Sequence, residues 1–365
     1  MYIDLSTLLI FFFSSAFVVQ LFYFLFFFLR LSFHKNNIKE QNTAPISVII
    51  AARNESENLK KFLPSVLDQE YSNFEVIVVN DRSWDNTEEI LKSFQESYSH
   101  LKIVTLADLG KDNFSKKFAI TLGIKAAAHE QLVFTDADCC VPSKKWLQAI
   151  AVNDLDGKEI SLGAGPYLKQ KGILNAIIRF DAAAIAIQYL SFAKAKFPYM
   201  GVGRNLSYKK SIYNSLQGFK SHYHIPSGDD DLFINQAANS KNTKIILSEN
   251  SITFSIAENS LKNWIKQKTR HLQTSTLYTL KTKLLLILYP FTLFAFYISI
   301  PFVSSPYLNI ILLGLLLRTL LQLFIFFKPL KIMGCKELII FTPLLELILL
   351  LTYPILHLIK KTNKL

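Results

Sequence analysis

The sequence predicts an α/β protein whose sheet-forming domain lies between membrane-spanning helices. Two observations carry this prediction: strands alternate with helices from residue 45 onwards, and long apolar segments flank that region on both sides. Half of the 365 residues are hydrophobic and 30 are Phe. Because these residues are concentrated towards the two ends, one soluble core does not account for them.

The N-terminal segment, residues 3–29, contains one acid, Asp4, and no base. It is long enough to cross a hydrocarbon core of about 30 Å as a helix. It lacks a basic leading region and a small-residue cleavage site, so we expect an anchor rather than a cleaved signal peptide. Three further spans are predicted at residues 284–303, 307–327 and 338–358, where Pro290, Pro301, Pro343 and Pro354 bend or bound the helices.

Basic residues beside these segments predict the orientation. The relevant side chains are Arg30, His34, Lys35, Lys39, Lys281, Lys283, Lys328, Lys331 and Lys336. All would face the cytoplasm if the N-terminus is outside. The tail contradicts this scheme, because four full crossings would place Lys360, Lys361 and Lys364 outside. Either the last segment, which contains Glu346, does not cross fully, or the rule that basic residues stay on the cytoplasmic side fails there.

The net charge of +12 is interpreted as a topology and anionic-lipid signal. No basic-aromatic pattern requires nucleic acid as a partner. Three cysteines, Cys139, Cys140 and Cys335, have no metal-binding spacing, and a buried, reduced role is expected.

A near-continuous β-branched run after Pro45 predicts a first strand buried on both faces of a parallel sheet. Ser56 can cap the helix that follows. Further strands are predicted at residues 74–79, 101–106 and 131–134, with helices between them, and Asp85 or Thr87 can cap the second helix. This alternation predicts a doubly wound sheet.

The fourth strand ends at two carboxylates, Asp136 and Asp138, one residue apart. Ligands of open α/β sheets bind outside the carboxyl ends of the strands. Two acids at this spacing can offer oxygen ligands to Mg²⁺ or Mn²⁺, which in turn holds a diphosphate. The alternative is a solvated turn with an Asx motif.

Three consecutive acids, Asp229, Asp230 and Asp231, precede another apolar run. They can cap a helix through its dipole, or they can raise one another's pKa, as a general base requires. Before them, residues 173–196 are helical by periodicity; this helix lies against the membrane, lines an acceptor groove or belongs to the core. The turn at residues 201–205, G-V-G-R-N, is weak evidence by itself.

The last soluble block, residues 261–271, carries Gln267 and Arg270. A basic helix at the membrane interface is one interpretation. The other has both side chains reaching a diphosphate or sugar, because Arg forms two-pronged contacts with phosphate.

Five motifs follow one another in order: a first strand ending near Glu55, V-V-N-D-x-S-x-D-x-T, D-A-D, G-D-D-D-L and Q-x-x-R-H. Together they resemble the membrane-bound family-2 inverting glycosyltransferases, the group of hyaluronan, chitin, cellulose and poly-N-acetylglucosamine synthases and ceramide glucosyltransferases. The resemblance covers residues 45–280. It implies a GT-A type nucleotide-sugar-binding, Rossmann-like sheet between one N-terminal and about three C-terminal transmembrane helices.

The resemblance also implies the domain limits: a transmembrane helix at 1–30, a linker at 31–44, a cytoplasmic glycosyltransferase domain at 45–280 and a transmembrane region at 281–365. It implies that Glu55 and Asp81 contact the nucleoside and that Lys117, with Lys116 as the less certain neighbour, lies near the donor phosphates.

In the same way, Asp136 is expected to contact the sugar donor, and Asp138 is expected to be a ligand of a divalent cation, Mg²⁺ or Mn²⁺. Asp230 is expected to be the catalytic base, with Asp229 as the alternative. Gln267 and Arg270 match the family's Q-x-x-R, whereas His271 replaces the usual Trp that stacks on the acceptor, a departure that favours a lipid or short glycan over a long polymer.

The implied activity is inverting transfer of a sugar from a nucleotide-sugar, a UDP- or GDP-sugar, to a lipid or glycan acceptor at the cytoplasmic face of the inner membrane. One alternative is a processive polysaccharide synthase. Another is a catalytically silent membrane scaffold with the same fold, against which the retained Asp138 and Asp230 argue.

Overall fold

The computed structural model describes residues 5–35, 44–106, 115–151, 157–302 and 307–362. Most of the expected linker, together with Lys39 and Lys364, falls outside these residues. The first helix is continuous, with α1 at Leu5–Phe22, a π-helical turn at Tyr23–Phe28 and α2 at Leu29–Ser32. It therefore extends three residues beyond the predicted span.

The predicted first half of the sheet is confirmed. Strands β1 (Ile46–Ala52), β2 (Phe74–Asp81), β3 (Leu101–Leu106) and β4 (Gln131–Phe134) run parallel in the order β3-β2-β1-β4. The intervening helices are α3 (Ser56–Leu67), α4 (Thr87–Ser97) and α5 (Lys116–Ala126). Residues of β1 are buried almost throughout, as their β-branched run predicts.

The second half of the domain is built from shorter elements that have little periodicity. In chain order they are β5 (Cys139–Cys140), α6 (Trp146–Ile150), β6 (Ile160–Leu162), α7 (Ile173–Lys194), β7 (Leu206–Lys209), α8 (Lys210–Ser215), α9 (Asp231–Ala237), β8 (Thr243–Ile245), β9 (Phe254–Ser255) and α10 (Leu261–Ser275). Strand β7 lies antiparallel between β4 and β6, and β8 closes the seven-stranded sheet. The sheet is therefore mixed, whereas the doubly wound pattern predicted parallel strands.

The C-terminal helices are α11 (Leu280–Ser299), α12 (Leu308–Ile332) and α13 (Thr342–Thr362). Among the described residues, five helices are long and apolar enough to cross a membrane: the first helix, α7, α11, α12 and α13. Helix α7 differs from the others because 56% of its apolar stretch is buried inside the protein. It packs against β8 and the long apolar helices at the two ends of the chain, so of the three interpretations of residues 173–196 the packing favours a core helix.

A buried polar network joins the first helix to α11, α12 and α13, four of the candidate membrane spans. The Arg318 guanidinium of α12 donates to Glu346 of α13 at 2.7 Å and to Gln20 of α1 at 3.2 Å. Tyr289 of α11 donates to the other oxygen of Glu346 at 2.6 Å, and Gln322 donates to the Arg-bound oxygen at 2.9 Å. Glu346, the acid inside the last predicted span, therefore has a basic partner, as ionisable groups among membrane helices generally do.

Candidate active site

A cleft opens at the carboxyl ends of β1 and β4, where parallel strands deliver their following loops to one edge of the sheet. Lys116, Asp136, Gly203, Asp229 and Asp230 line it, above an apolar floor of side chains from the sheet and α5. The Lys116 Nζ atom lies 2.6 Å from an Asp136 oxygen and 3.7 Å from an Asp229 oxygen. Acids separated by more than 90 residues therefore share one cleft.

The D-A-D turn offers the oxygen atoms that a divalent cation needs. One carboxylate oxygen each of Asp136 and Asp138 lies within 4.8 Å of the other and of the Cys139 sulfur. Ser255 donates to Asp138 at 2.5 Å and orients it. Because burial raises the pKa of Cys139 well above its ordinary value, this residue stays a thiol and donates to Asp138. The two carboxylates fit Mg²⁺ or Mn²⁺, whereas a protonated thiol does not add to the set.

The three consecutive acids have three different environments. Asp229 faces Lys116. Asp230 accepts the backbone N–H of Gly203 and that of Asp231, both at 2.7 Å, and is the N-cap of α9. Asp231 is buried and accepts hydroxyl donors from Thr274 and Tyr278, the latter at 2.8 Å, so it ties the cluster to the end of α10.

The charges and burial in the cleft shift the pKa values of its carboxyl groups in opposite directions. Burial opposes ionisation of Asp136, but the charge and hydrogen bond of Lys116 outweigh it and lower the pKa of Asp136. Burial, followed by the charges of Asp229 and Asp231, raises the pKa of Asp230 to about 7. Groups with divergent pKa values in one cleft are typical of acid-base sites.

The two residues expected at the nucleoside lie at the ends of β1 and β2. Glu55 accepts a hydrogen bond from Asn58 at 2.6 Å, and Asp81 pairs with Arg82 at 2.8 Å. Burial raises the pKa of Glu55, and the nearby carboxylates of Asp138 and Asp136 add to the effect. Glu55 therefore belongs to the same electrostatic cluster as the D-A-D turn.

Asp85 fastens the two loops that carry these residues. Its carboxylate accepts the backbone N–H of Ser56 and that of Thr87, both at 3.1 Å. The N-cap positions of α4 and α3 are Asn86 and Glu55, so the predicted caps at Asp85 or Thr87 and at Ser56 are wrong by one residue. Asp85 nevertheless accepts the first N–H of each helix from outside it.

The two adjacent lysines of α5 point in different directions. Lys117 is fully buried and donates to the backbone carbonyls of His222 and Ile225 at 2.6 and 2.9 Å. Lys116 is the lysine that reaches the cleft. The place in the cleft that was expected of Lys117 is therefore taken by Lys116, because successive helical side chains differ by about 100°.

Gln267 and Arg270 project from α10 towards the same region. Tyr167 donates to Gln267 at 3.3 Å, and the positive charge of Arg270 helps to lower the pKa of Asp136. The sequence analysis did not single out Arg204. Its guanidinium lies 4.4 Å above the Tyr167 ring, and its buried Nη1 has no hydrogen-bond partner among the described residues. In the sequence, only the Gly-rich turn at residues 201–205 pointed to Arg204 as a candidate site residue.

The chain matches two family profiles. "Glycosyl transferase family 2" matches residues 47–210, and "Glycosyl transferase family group 2" matches residues 132–355, which is more than half of the chain. The chain therefore belongs to the family-2 group of glycosyltransferases, and it is a glycosyltransferase by that membership.

Curated relatives match over shorter stretches. "Glycosyltransferase AglE" of Haloferax volcanii is 34% identical over 122 residues, which are 33% of this chain and 38% of that protein. A "poly-beta-1,6-N-acetyl-D-glucosamine synthase" of Staphylococcus epidermidis is 33% identical over 148 residues, 40% of this chain and 35% of that protein. The match thus spans little more than a third of the length of these relatives.

Among solved structures, the chain is similar to "Mannosyltransferase PcManGT from Pyrobaculum calidifontis in complex with GDP-Man and Mn2+". The TM-score is 0.53 at 16% sequence identity, and the alignment covers 93% of this chain and 98% of that one. At this identity the likeness concerns the fold, and it confirms the GT-A prediction.

Proposed function

We propose that this protein transfers a sugar, with inversion, from a nucleotide-diphosphate donor to a lipid or glycan acceptor at the cytoplasmic face of the membrane. The observation that carries the proposal is the shared cleft in which Lys116 lies between Asp136 and Asp229, next to Asp230. A silent scaffold would have no reason to hold three acids in one cleft at such an electrostatic cost.

In this proposal the nucleoside is held at the strand ends by Glu55 and Asp81, and the sugar by Asp136. Lys116 and Arg204 supply positive charge to the diphosphate, since Lys116 contacts Asp136 and the charge of Arg204 helps to lower the pKa of the same carboxyl group. Asp138, oriented by Ser255, holds a divalent cation with Asp136. That cation, when bound, supplies Lewis-acid stabilisation of the leaving diphosphate.

The chemical step we propose uses Asp230 as the base. Its carboxylate takes the proton of the acceptor hydroxyl while that oxygen bonds to the anomeric carbon. The bond from the anomeric carbon to the diphosphate oxygen breaks on the opposite face, which inverts the configuration. A carboxyl pKa of about 7 suits this role, because a base works best when its pKa is near the operating pH. A positioned base typically contributes about 10²–10⁴-fold.

The acceptor would approach from α10, where Gln267 and Arg270 lie beside the cleft and the chain continues into α11. A site so close to the candidate membrane helices suits an acceptor that is a lipid or a glycan held at the membrane surface. The basic residues that flank the spans support a cytoplasmic domain.

The test is a panel of nucleotide-sugars incubated with the purified full chain and Mg²⁺ or Mn²⁺, with release of nucleoside diphosphate as the readout. We expect one donor to turn over, and turnover to disappear in Asp138→Ala. Cation-independent release, or normal turnover by this variant, would contradict the proposal. Glu89→Gln, an exposed change on α4, is the matched control.

A processive synthase is the second candidate, because the S. epidermidis relative is named a polymer synthase. Product length separates the two activities. Labelled donor would give a ladder of products from a polymer synthase and a single shifted species from a one-sugar transferase. We expect the single species, since His271 stands where the family's acceptor-stacking Trp is expected.

A further inference from the structure

A second cavity, with a volume of about 230 Å³, lies where the sheet-containing domain meets the start of α11. Three parts of the chain line it: the end of α7 with the loop that follows, the turn after α9, and the first turns of α11. Its lining includes Phe192, Lys196, Tyr199, Asn239 and Lys281. This α11 cavity shares no lining residue with the cleft around Lys116.

The polar part of the α11 cavity is positively charged. Lys196 and Lys281 line it, and none of the residues that line it is an acid. Neither lysine has a salt-bridge partner within the part of the chain that the structure describes. The Lys281 Nζ atom lies 4.7 Å from the centre of the Phe197 ring, which holds the ammonium group beside the cavity. Two unpaired cations at one cavity are complementary to an anion.

The walls of the α11 cavity are held in place by the fold. Phe192 stacks on Phe27 of the first helix, with the ring centres 4.1 Å apart. In the turn after α9, the side chain of Asn239 accepts the backbone N–H groups of Lys241 and Asn242 at 2.8 and 3.0 Å. A ligand therefore enters a cavity that is already formed, as is usual for binding sites.

Two aromatic rings separate the α11 cavity from the acids of the cleft. Tyr199 lines the cavity, and its ring packs edge-to-face against Tyr278 at 5.9 Å between the centres. Tyr278 donates to Asp231 at 2.8 Å. A ligand in the cavity is therefore kept away from Asp230, so it is not placed to act as the acceptor of the proposed transfer.

An apolar strip leads away from the cavity along α11, a helix long and apolar enough to cross a membrane. Leu284, Leu288 and Phe291 follow Lys281 at intervals of three, seven and ten residues, so the four side chains lie on one face. The three apolar residues are between 41% and 61% exposed. Phe291 lies about 15 Å beyond Lys281 along the helix axis, which is half the thickness of a hydrocarbon core of about 30 Å.

We propose that the α11 cavity binds the headgroup of an anionic phospholipid. The headgroup phosphate lies between Lys196 and Lys281, and the acyl chains lie along the strip of Leu284, Leu288 and Phe291. Phosphatidylglycerol has the required net negative charge. Phosphatidylcholine lacks it, because its trimethylammonium group balances the phosphate. Basic pockets beside membrane spans are where such headgroups bind, and the site uses none of the residues of the proposed chemistry.

Native mass spectrometry of the purified full chain tests the site. The chain is titrated with palmitoyl-oleoyl phosphatidylglycerol or with phosphatidylcholine that has the same acyl chains. We expect the first phosphatidylglycerol to bind at least about tenfold more tightly than phosphatidylcholine. Equal affinity for the two lipids would overturn the proposal. An excess of inorganic phosphate should leave the lipid bound, since phosphate does not cover the apolar strip; displacement would identify a site for free anions and contradict the proposal.

Two double variants with the same change in charge locate the binding. Lys196→Asn/Lys281→Gln removes both lysines of the cavity, and Asn is chosen because residue 196 has a φ of 72°, a left-handed conformation that Asn tolerates. Lys194→Gln/Lys283→Gln removes two neighbouring lysines that do not line the cavity.

The affinity for phosphatidylglycerol should fall about thirtyfold in the cavity variant, about fivefold for each lysine, and less than about twofold in the neighbouring one. Equal losses would show a general effect of charge and refute a site at the cavity. The comparison of the two lipids on the unmodified chain decides the question even if a variant fails to fold.

Discussion

The cleft around Lys116 and the bundle formed by the first helix, α11, α12 and α13 each bury charged side chains, but the two clusters are built in opposite ways. In the bundle, Glu346 faces one guanidinium, and both its oxygens accept hydrogen bonds from Arg318, Gln322 and Tyr289. In the cleft, Asp136 and Asp229 share a single lysine, and Asp230 lies between two further acids. The bundle cluster is closed by protein groups, whereas the cleft cluster has a surplus of negative charge.

The charges of the bundle stabilise the fold, whereas the charges of the cleft are placed to bind a ligand. A satisfied pair inside the helix bundle fixes how four helices meet, and removing one partner leaves the other buried without its counter-charge. A crowded group of acids instead holds unfavourable energy that a cation, a diphosphate or a proton relieves. Mutations should therefore lower stability in the bundle and activity in the cleft.

The largest effect is expected from Asp230→Asn, because an amide cannot accept the acceptor's proton. We expect kcat to fall by at least about 10²-fold. The melting temperature should be unchanged or slightly higher, since the variant removes one of three crowded carboxylates. Both quantities are measured on the same detergent-purified sample, with Glu89→Gln as control. A variant that loses activity only because it unfolds would contradict the comparison.

Glu346→Leu should have the reverse effect. It leaves Arg318 unpaired inside the bundle, and breaking a buried pair in this way costs about 3–5 kcal/mol. We expect a large loss of stability in denaturant titrations, while kcat per folded molecule stays within about twofold.

The double variant Arg318→Met/Glu346→Leu provides the control, because apolar replacement of both partners is often neutral or stabilising. Its stability should return towards that of the unmodified protein. If the double variant is stable but inactive, the network has a role in activity, and the division between a stabilising bundle and a functional cleft is wrong.

The adjacent lysines give the same contrast within a single helix. Lys116→Met should raise the KM for the donor by about tenfold to a hundredfold, the equivalent of about 1.5–3 kcal/mol for a hydrogen bond to a charged group. Lys117→Met should instead lower stability, because the carbonyls of His222 and Ile225 lose their donor. Donor titrations and melting curves on both variants measure the two effects. A KM change in Lys117→Met alone would reverse the assignment.

These lysines also show where sequence reasoning stops. The four parallel strands and the acids at their ends were predictable, because long β-branched runs and carboxylates after them are local signals. Strands of two or three residues, such as β5 and β6, have too few residues for a period and form only because neighbouring strands pair with them. The choice between Lys116 and Lys117 depends on helix rotation, and the position of α13 depends on Asp181, more than 170 residues earlier.

The smallest expected effect is a shift in the pH dependence. Asp230 must lose its proton to act as the base, so kcat/KM should rise with pH through about 7, the value to which burial and the charges of Asp229 and Asp231 raise its pKa. Asp231→Asn removes one of those charges, whereas Lys116 on α5 remains. The pKa of Asp230 should therefore fall, and the rising limb should move to lower pH. Asp68→Asn, an exposed change at the C-terminal end of α3, is the control and should leave the limb in place. A limb that does not respond to Asp231→Asn, or that survives in Asp230→Asn, would assign the titration to another group and favour Asp229 as the base.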